Sequence, residues 1–175
     1  RCADRAGRKV LINEIMPNPT PSAGLPEEEW LELYNRSGKL IYLSSLRFQD
    51  AIGAPILLPH FLLLPGRYVA LTAAANAATL QAATPGRVLS TNISAGALNN
   101  EEDVLTISDL NGNVIDRVVY TLELHTEAGK AVMPCLARRH TRHTKCCFSK
   151  YYRQQASPFA LGLPRIGHLV AADFY

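Results

Sequence analysis

EWLELYN, residues 29–35, alternates between two faces with a period of two residues, which is typical of a β-strand lying on a core. Its side chains form two sets, one of Trp30, Glu32 and Tyr34 and the other of Leu31, Leu33 and Asn35. We expect one set to face the core and the other to lie near solvent. The segment therefore predicts a half-buried strand.

Strand and turn signals continue on both sides of this segment. Runs of β-branched and apolar residues bounded by Pro, Gly, Asn or Ser predict further strands. They cover residues 10–16, 40–43, 44–50, 67–72, 104–108 and 114–120, with a strand and a loop within 55–64. An alanine-rich run predicts one helix over residues 73–83. Asn111 and Gly112 supply the positive φ angles that a tight hairpin needs.

Many short strands at regular spacing indicate an all-β sandwich or barrel. A length of 175 residues fits one domain. We expect seven residues at or near the core, namely Trp30, Leu33, Phe48, Tyr68, Leu71, Leu105 and Ile107. Because Trp30 and Leu33 have opposite parity on one strand, not all seven can point inward.

Composition excludes several classes of protein. Hydrophobic residues make up 47% and charged residues 19%, so the chain is too apolar for a disordered tail. No apolar run reaches the roughly 20 residues that span a bilayer, so we expect no membrane span. The first ten residues lack the apolar core of a signal peptide, so any export signal is expected to be removed or upstream. A net charge of +3 is too small to name a nucleic-acid partner.

The charge is distributed unevenly along the chain. Residues 1–127 carry 14 acidic and 10 basic side chains, whereas residues 128–175 carry 8 basic side chains and one acid, Asp173. Two interpretations remain open for this basic C-terminal segment, which starts at about residue 128. Opposite charges hold it against the acidic body, or it binds an anionic partner such as phosphate, polysaccharide or nucleic acid.

These strands also carry a family resemblance. VLINEIMPNP (10–19), EWLELYN (29–35) and LSSLRFQD (43–50) resemble, in this order, the opening of a lamin tail domain. LPGRYVAL (64–71) resembles the family's next strand, and residues 104–120 resemble its late hairpin. LARR (136–139) and GLP (162–164) are similar to its closing segment.

The resemblance implies an immunoglobulin-like antiparallel β-sandwich over residues 9–170, after an N-terminal segment 1–8 and before a C-terminal end 171–175. It implies an exported bacterial protein, periplasmic, secreted or at the cell surface. The family is known as a structural and interaction module, so it implies no catalysis and no cofactor. Its partner is then an unidentified protein or polysaccharide, with nucleic acid as a weaker expectation. The alternative is an accessory domain that binds nucleic acid or an acidic glycan for an attached hydrolase or nuclease.

Acidic residues are the first candidates for chemistry. They are Glu14, Glu32, Asp50 and the cluster at residues 27–29, EEE. A pair of them could act as acid and base or bind Ca²⁺, but their spacing matches no known ligand loop. We therefore expect Glu14 and Glu32 in paired strands, accepting hydrogen bonds from backbone or Arg. Residues 101–103, EED, are expected to form a solvated turn. No nucleophile elbow, zinc-protease, phosphate-loop or dinucleotide motif is present, so the sequence gives no support for an enzyme.

Cysteines and histidines cluster in the basic segment. Cys135, His140, His143, Cys146 and Cys147 are potential ligands within thirteen residues. A metal site would use His140, His143 and Cys146, although their spacing is not the paired spacing of zinc sites. The alternatives are a disulfide from Cys135 to Cys146 or Cys147, which an exported setting favours, or free thiols.

The same segment contains the candidate anion-binding residues, Arg138, Arg139, Arg142 and Lys145. Basic residues interleaved with aromatic ones, as in KYYR (150–153), are typical of surfaces that hold phosphates and stack bases. On a strand, however, neighbouring basic residues point to opposite faces, which breaks the patch. In the competing interpretation, these residues form a solvated face of the basic segment, which is docked near the acidic body.

Overall fold

A computed structural model describes residues 8–20, 25–94, 96–121 and 131. In these ranges the chain forms ten strands, one α-helix and one 3₁₀ turn. The strands are β1 Val10–Met16, β2 Trp30–Asn35, β3 Ile41–Tyr42, β4 Leu46–Gln49, β5 Ile56–Leu57, β6 Leu62–Leu63, β7 Tyr68–Ala73, β8 Val88–Thr91, β9 Glu102–Asp109 and β10 Val114–Thr121. The helix α1 is Ala77–Ala83, and the 3₁₀ turn is Leu43–Ser45.

Two four-stranded sheets form the molecule, together with a ribbon made of β3 and β6. The first sheet has the order β1-β2-β7-β8, and the second has the order β10-β9-β4-β5. All pairs are antiparallel except β7 and β8, which are parallel and are connected through α1. The predicted all-β, immunoglobulin-like sandwich is therefore confirmed, with one parallel pair added.

The main core lies between the inward faces of the two sheets. In the first sheet the register places Ile12 opposite Leu33, and Leu33 opposite Val69. In the second sheet Phe48 pairs with Ile107. All five side chains are almost fully buried and belong to one apolar cluster. Burial of this kind contributes about 25 cal/mol per Å² of apolar surface, so this cluster is the main source of stability.

The first sheet is also covered on its outer face, which corrects the expectation that this face lies near solvent. Trp30 is only 1% exposed there, in a second apolar cluster with Met16, Ala70 and Val88. Leu80, the buried residue of α1, completes this cluster. The helix thus helps to bury the part of this face around Trp30, and Trp30 and Leu33 are both buried despite their opposite parity.

Tyr68 differs from the other six expected core residues. It is half-buried on the outer face of the first sheet, where its ring stacks on that of Tyr34 with centroids 4.5 Å apart. The remaining six, including Leu71 and Leu105, are buried as predicted.

The elements differ from the prediction in four main places. Residues 55–64, predicted as a strand and a loop, contain two short strands, β5 and β6, which belong to different sheets. The helix begins at Ala77 rather than at residue 73, because Ala73 is the last residue of β7 and pairs with Thr91. The stretch after residue 40 is interrupted by the 3₁₀ turn, so β3 and β4 belong to different sheets. Strand β8, four residues long, was not predicted.

The hairpin between β9 and β10 was predicted correctly. Gly112 has a φ of 85°, in the left-handed region that glycine adopts without strain. Asp109 Oδ1 accepts hydrogen bonds from the backbone N–H groups of Asn111 and Asn113, at 2.8 and 2.9 Å. These bonds close the turn.

Candidate functional site

The site residues proposed from the sequence lie outside the described residues. They are Cys135, Arg138, Arg139, His140, Arg142, His143, Lys145, Cys146 and Cys147. The disulfide, metal and anion-binding assignments for them therefore stay predictions.

The described residues form a different basic surface, which we call the basic end. It consists of Lys9, Arg36, Lys39, Arg67 and Arg87, all exposed. Four of them flank strands of the first sheet, before β1, after β2, before β7 and before β8. Because β2 runs antiparallel to β1 and β7, and β8 runs parallel to β7, these four termini meet at one end of the sheet.

Asn35 joins the two loops that carry most of the basic end. Its side-chain amide donates to the carbonyl oxygens of Lys39 and Leu63, at 2.8 and 2.9 Å. Its Oδ1 accepts from the backbone N–H and the hydroxyl of Ser37, at 3.0 and 2.7 Å. Its backbone N–H donates to the carbonyl of Arg67 at 3.0 Å. Since Asn35 is fully buried, it holds residues 36–39 against residues 64–67.

Exposed apolar side chains lie beside these cations. Leu40 is 56% exposed and Leu64 is 47% exposed. The pairing of Ile41 with Leu63 places the two leucines next to each other at the start of the β3–β6 ribbon. Arg87 lies over the ring of Phe61, the residue before β6, 5.9 Å from its centroid.

Few carboxylates balance the basic end. Residues 33–49 and 51–100 contain no Asp or Glu. Asp116, buried at the junction of β10 and β1, forms an ion pair with Arg8 and accepts from the backbone N–H of Ile12 at 2.8 Å. Asp109 lies in the hairpin on the same side of the second sheet. A hydrogen bond from the side chain of Asn113 lowers the pKa of Asp109, so this carboxylate stays ionised.

The opposite end of the sandwich is acidic. Burial, followed by the negative charges of Asp103, Glu29 and Asp50, raises the pKa of the Tyr120 hydroxyl. This hydroxyl donates to the carbonyl of Asn99 at 2.7 Å. Burial also raises the pKa of Glu29, although a hydrogen bond from the backbone N–H of Leu98, at 3.1 Å, opposes the rise. Within the described residues, one end of the sandwich is therefore mainly basic and the other mainly acidic.

Asp103 corrects the expectation of a solvated turn at residues 101–103. Glu101 and Glu102 are exposed as expected, but β9 begins at Glu102, and Asp103 is only 5% exposed. Its carboxylate accepts from the backbone N–H groups of Ala51 and Val104, at 3.0 and 2.6 Å. Alternation along β9 turns Asp103 inward, where it fixes the loop after β4.

Comparison with protein families decides the assignment. The Lamin Tail Domain matches residues 3–122, which is more than half of the chain and includes every strand described above. The chain belongs to the lamin tail domain family. No curated protein matches it in sequence. The family is a non-enzymatic, immunoglobulin-like interaction domain.

In this lamin tail domain, Glu14 and Glu32 face each other across β1 and β2, so the predicted strand pairing is confirmed. Both are fully buried on the outer face of the first sheet. Asn13, at an irregularity of the β1 register, donates its side-chain amide to Glu32 Oε1 at 2.6 Å, a donor that the sequence did not predict. Because both carboxylates are closed off from solvent, they do not form an open catalytic pair.

Within the described ranges, no three side chains of the His, Cys, Asp and Glu types come together to hold a metal ion. In the same ranges, no helix has the length and apolarity that crossing a bilayer requires. Among the described residues, the basic end is a surface where several exposed cations lie together.

Sequence reasoning missed the basic end because its five cations are isolated along the chain. Lys9 and Arg87 are far apart in sequence, and only strand pairing brings their neighbourhoods together. Two signals were present, however. Each of four cations stands next to a predicted turn or strand end, and residues 51–100 carry no acid at all.

Proposed function

We propose that this lamin tail domain is a non-catalytic interaction module of a larger exported bacterial protein, and that it binds its partner through the basic end. The family assignment supports an interaction role. The observation that carries the proposal is the convergence of five exposed cations at one end of the first sheet. An excess of one charge on one surface attracts an oppositely charged partner and speeds its association.

The partner is therefore anionic, and its binding should weaken as salt is added, because exposed charges are screened within about 10 Å at 0.1 M salt. The experiment measures binding of the whole chain to a soluble sulfated polysaccharide by calorimetry. The double variant Lys39→Glu/Arg67→Glu reverses two charges of the basic end. The matched control Arg47→Glu/Arg117→Glu makes the same change on the outer face of the second sheet.

We expect binding by the unmodified chain and by the control, and loss of binding by the basic-end variant. Circular dichroism of both variants checks that the β-sandwich is retained. Equal losses in the two variants would show that net charge, rather than the basic end, governs binding. Retained binding by the basic-end variant would contradict the proposal and would favour the segment containing Arg138 and Arg139.

A second candidate function is an accessory domain that binds an anionic polymer for an attached hydrolase or nuclease. The order β1-β2-β7-β8 favours it, because Lys9, Arg36, Arg67 and Arg87 follow one another across adjacent strands. Adjacent strands are about 4.8 Å apart, so these positions form a row suited to a linear chain of anionic groups. Affinity for sulfated oligosaccharides should then rise with their length until the row is filled. Equal affinity for a monosaccharide sulfate would argue against a linear ligand.

Export is the third part of the proposal. It is supported by the resemblance to exported family members and by the cysteines of the basic segment, which suit an oxidising compartment. Fractionation of cells that express the native full-length protein tests it. We expect the protein in the periplasmic, surface or secreted fraction, and recovery in the cytoplasm alone would refute export.

A further inference from the structure

We propose that the basic end docks on the surface of an anionic lipid bilayer. This inference rests on the proposed function, since it identifies the partner of the same surface. It is carried by exposed leucines placed among the cations.

Leu40 and Leu64 are the apolar part of this surface. They are 56% and 47% exposed, and they lie side by side where the β3–β6 ribbon begins. Lys39 directly precedes Leu40, and Arg67 follows Leu64 in the turn that Asn35 holds in place. Tyr42, 56% exposed, has the same parity as Leu40 along β3. Exposed leucines and tyrosine flanked by cations therefore form one surface.

A bilayer interface satisfies both kinds of side chain at once. Anionic headgroups attract Lys and Arg, and apolar side chains enter the boundary between headgroups and acyl chains. A soluble polyanion would neutralise the cations but would leave Leu40 and Leu64 in water. The leucines thus favour a lipid surface over a soluble polymer.

The charged neighbours of this surface also favour an anionic membrane. The segments 33–49 and 51–100, which build it, carry no carboxylate. Arg8 and Asp116, near the start of β1, neutralise each other. Asp109, in the hairpin of the second sheet, is the acid on this side, and its oxygens are engaged by the turn itself. The described segments 33–49 and 51–100 therefore supply cations and no carboxylate to this surface.

The test is co-sedimentation of the whole chain with vesicles of phosphatidylcholine alone or of phosphatidylcholine mixed with phosphatidylglycerol. Each cation near an anionic surface contributes about fivefold to the partition coefficient at physiological ionic strength. We expect binding to the mixed vesicles only, and about a 25-fold loss in the double variant Lys39→Gln/Arg67→Gln. The control Arg47→Gln/Arg117→Gln should lose much less.

The apolar contribution is tested separately with Leu40→Ser/Leu64→Ser against the control Leu57→Ser, since Leu57 is 54% exposed on the second sheet. We expect the leucine pair to be required for the vesicle binding that persists at high salt, and the control to behave as the unmodified chain. Melting curves show whether each variant is folded.

Failure of this inference differs from failure of the proposed function. If the chain binds the soluble sulfated polysaccharide but not the mixed vesicles, the lipid inference is wrong and the anionic-polymer function stands. If the leucine variant binds vesicles normally at all salt concentrations, the apolar contact is refuted. If neither ligand binds, both proposals fail.

Discussion

Replacement of Asn35 by alanine tests the link between the fold and the basic end. This side chain makes four hydrogen bonds, to Lys39 O, Leu63 O and two groups of Ser37. The Leu63 bond is buried where water cannot replace the amide, so its loss costs about 1–3 kcal/mol. The other three are part-buried, and water can replace them at about 0.5 kcal/mol each. We expect Asn35→Ala to lower the free energy of unfolding by about 3 kcal/mol.

Urea denaturation followed by tryptophan fluorescence measures this change, because Trp30 is buried and lies in β2, the strand that ends at Asn35. Asn113→Ala is the matched control. The amide of Asn113 donates to Asp109 in an exposed hairpin, so its loss should cost less than about 1 kcal/mol. If Asn35→Ala and Asn113→Ala were equally mild, Asn35 would not hold the two loops together, and the basic end would lack its structural support.

Further predictions concern the helix, a carboxyl group and the cysteines. Leu80→Ala should lower the free energy of unfolding by about 2–5 kcal/mol, since Leu80 is fully buried against Trp30; a loss below 1 kcal/mol would show that the helix adds little. Folding raises the pKa of Glu29 above the ordinary glutamate value of 4.5. The free energy of unfolding should therefore fall as the pH rises from 4.5 through the raised pKa, and Glu29→Gln should remove that fall. Identical pH profiles of stability for the two proteins would refute this. Thiol titration of the unfolded, unreduced chain should show a disulfide from Cys135, worth roughly 3 kcal/mol; four free thiols without zinc would exclude both the disulfide and a metal site.

Local sequence patterns predicted most of the strands and an all-β sandwich or barrel. The alternation of residues 29–35 and the Asn111-Gly112 turn each depend on neighbours in the chain, so they can be recognised without a structure. β8 could not be recognised in this way. It is four residues long, and its pairing with β7 depends on the connection through α1.

The outer face of the first sheet shows why burial was harder to predict than secondary structure. Trp30, Glu32 and Tyr34 alternate with apolar residues, and alternation alone cannot say whether a helix covers their side. Leu80 of α1 covers Trp30, and this contact joins residues that are far apart in sequence. The basic end was hard to predict for the same reason, since its cations come from turns that are far apart in sequence.

The central claim is that the basic end, rather than the basic segment predicted from the sequence, binds the anion. Amide chemical-shift mapping of the whole isotope-labelled chain with a short sulfated oligosaccharide tests it most directly, because both regions are observed in one sample. We predict that the largest shifts occur at Lys9, Lys39, Arg67 and their neighbours. Shifts confined to Arg138 and the residues around it would contradict the claim.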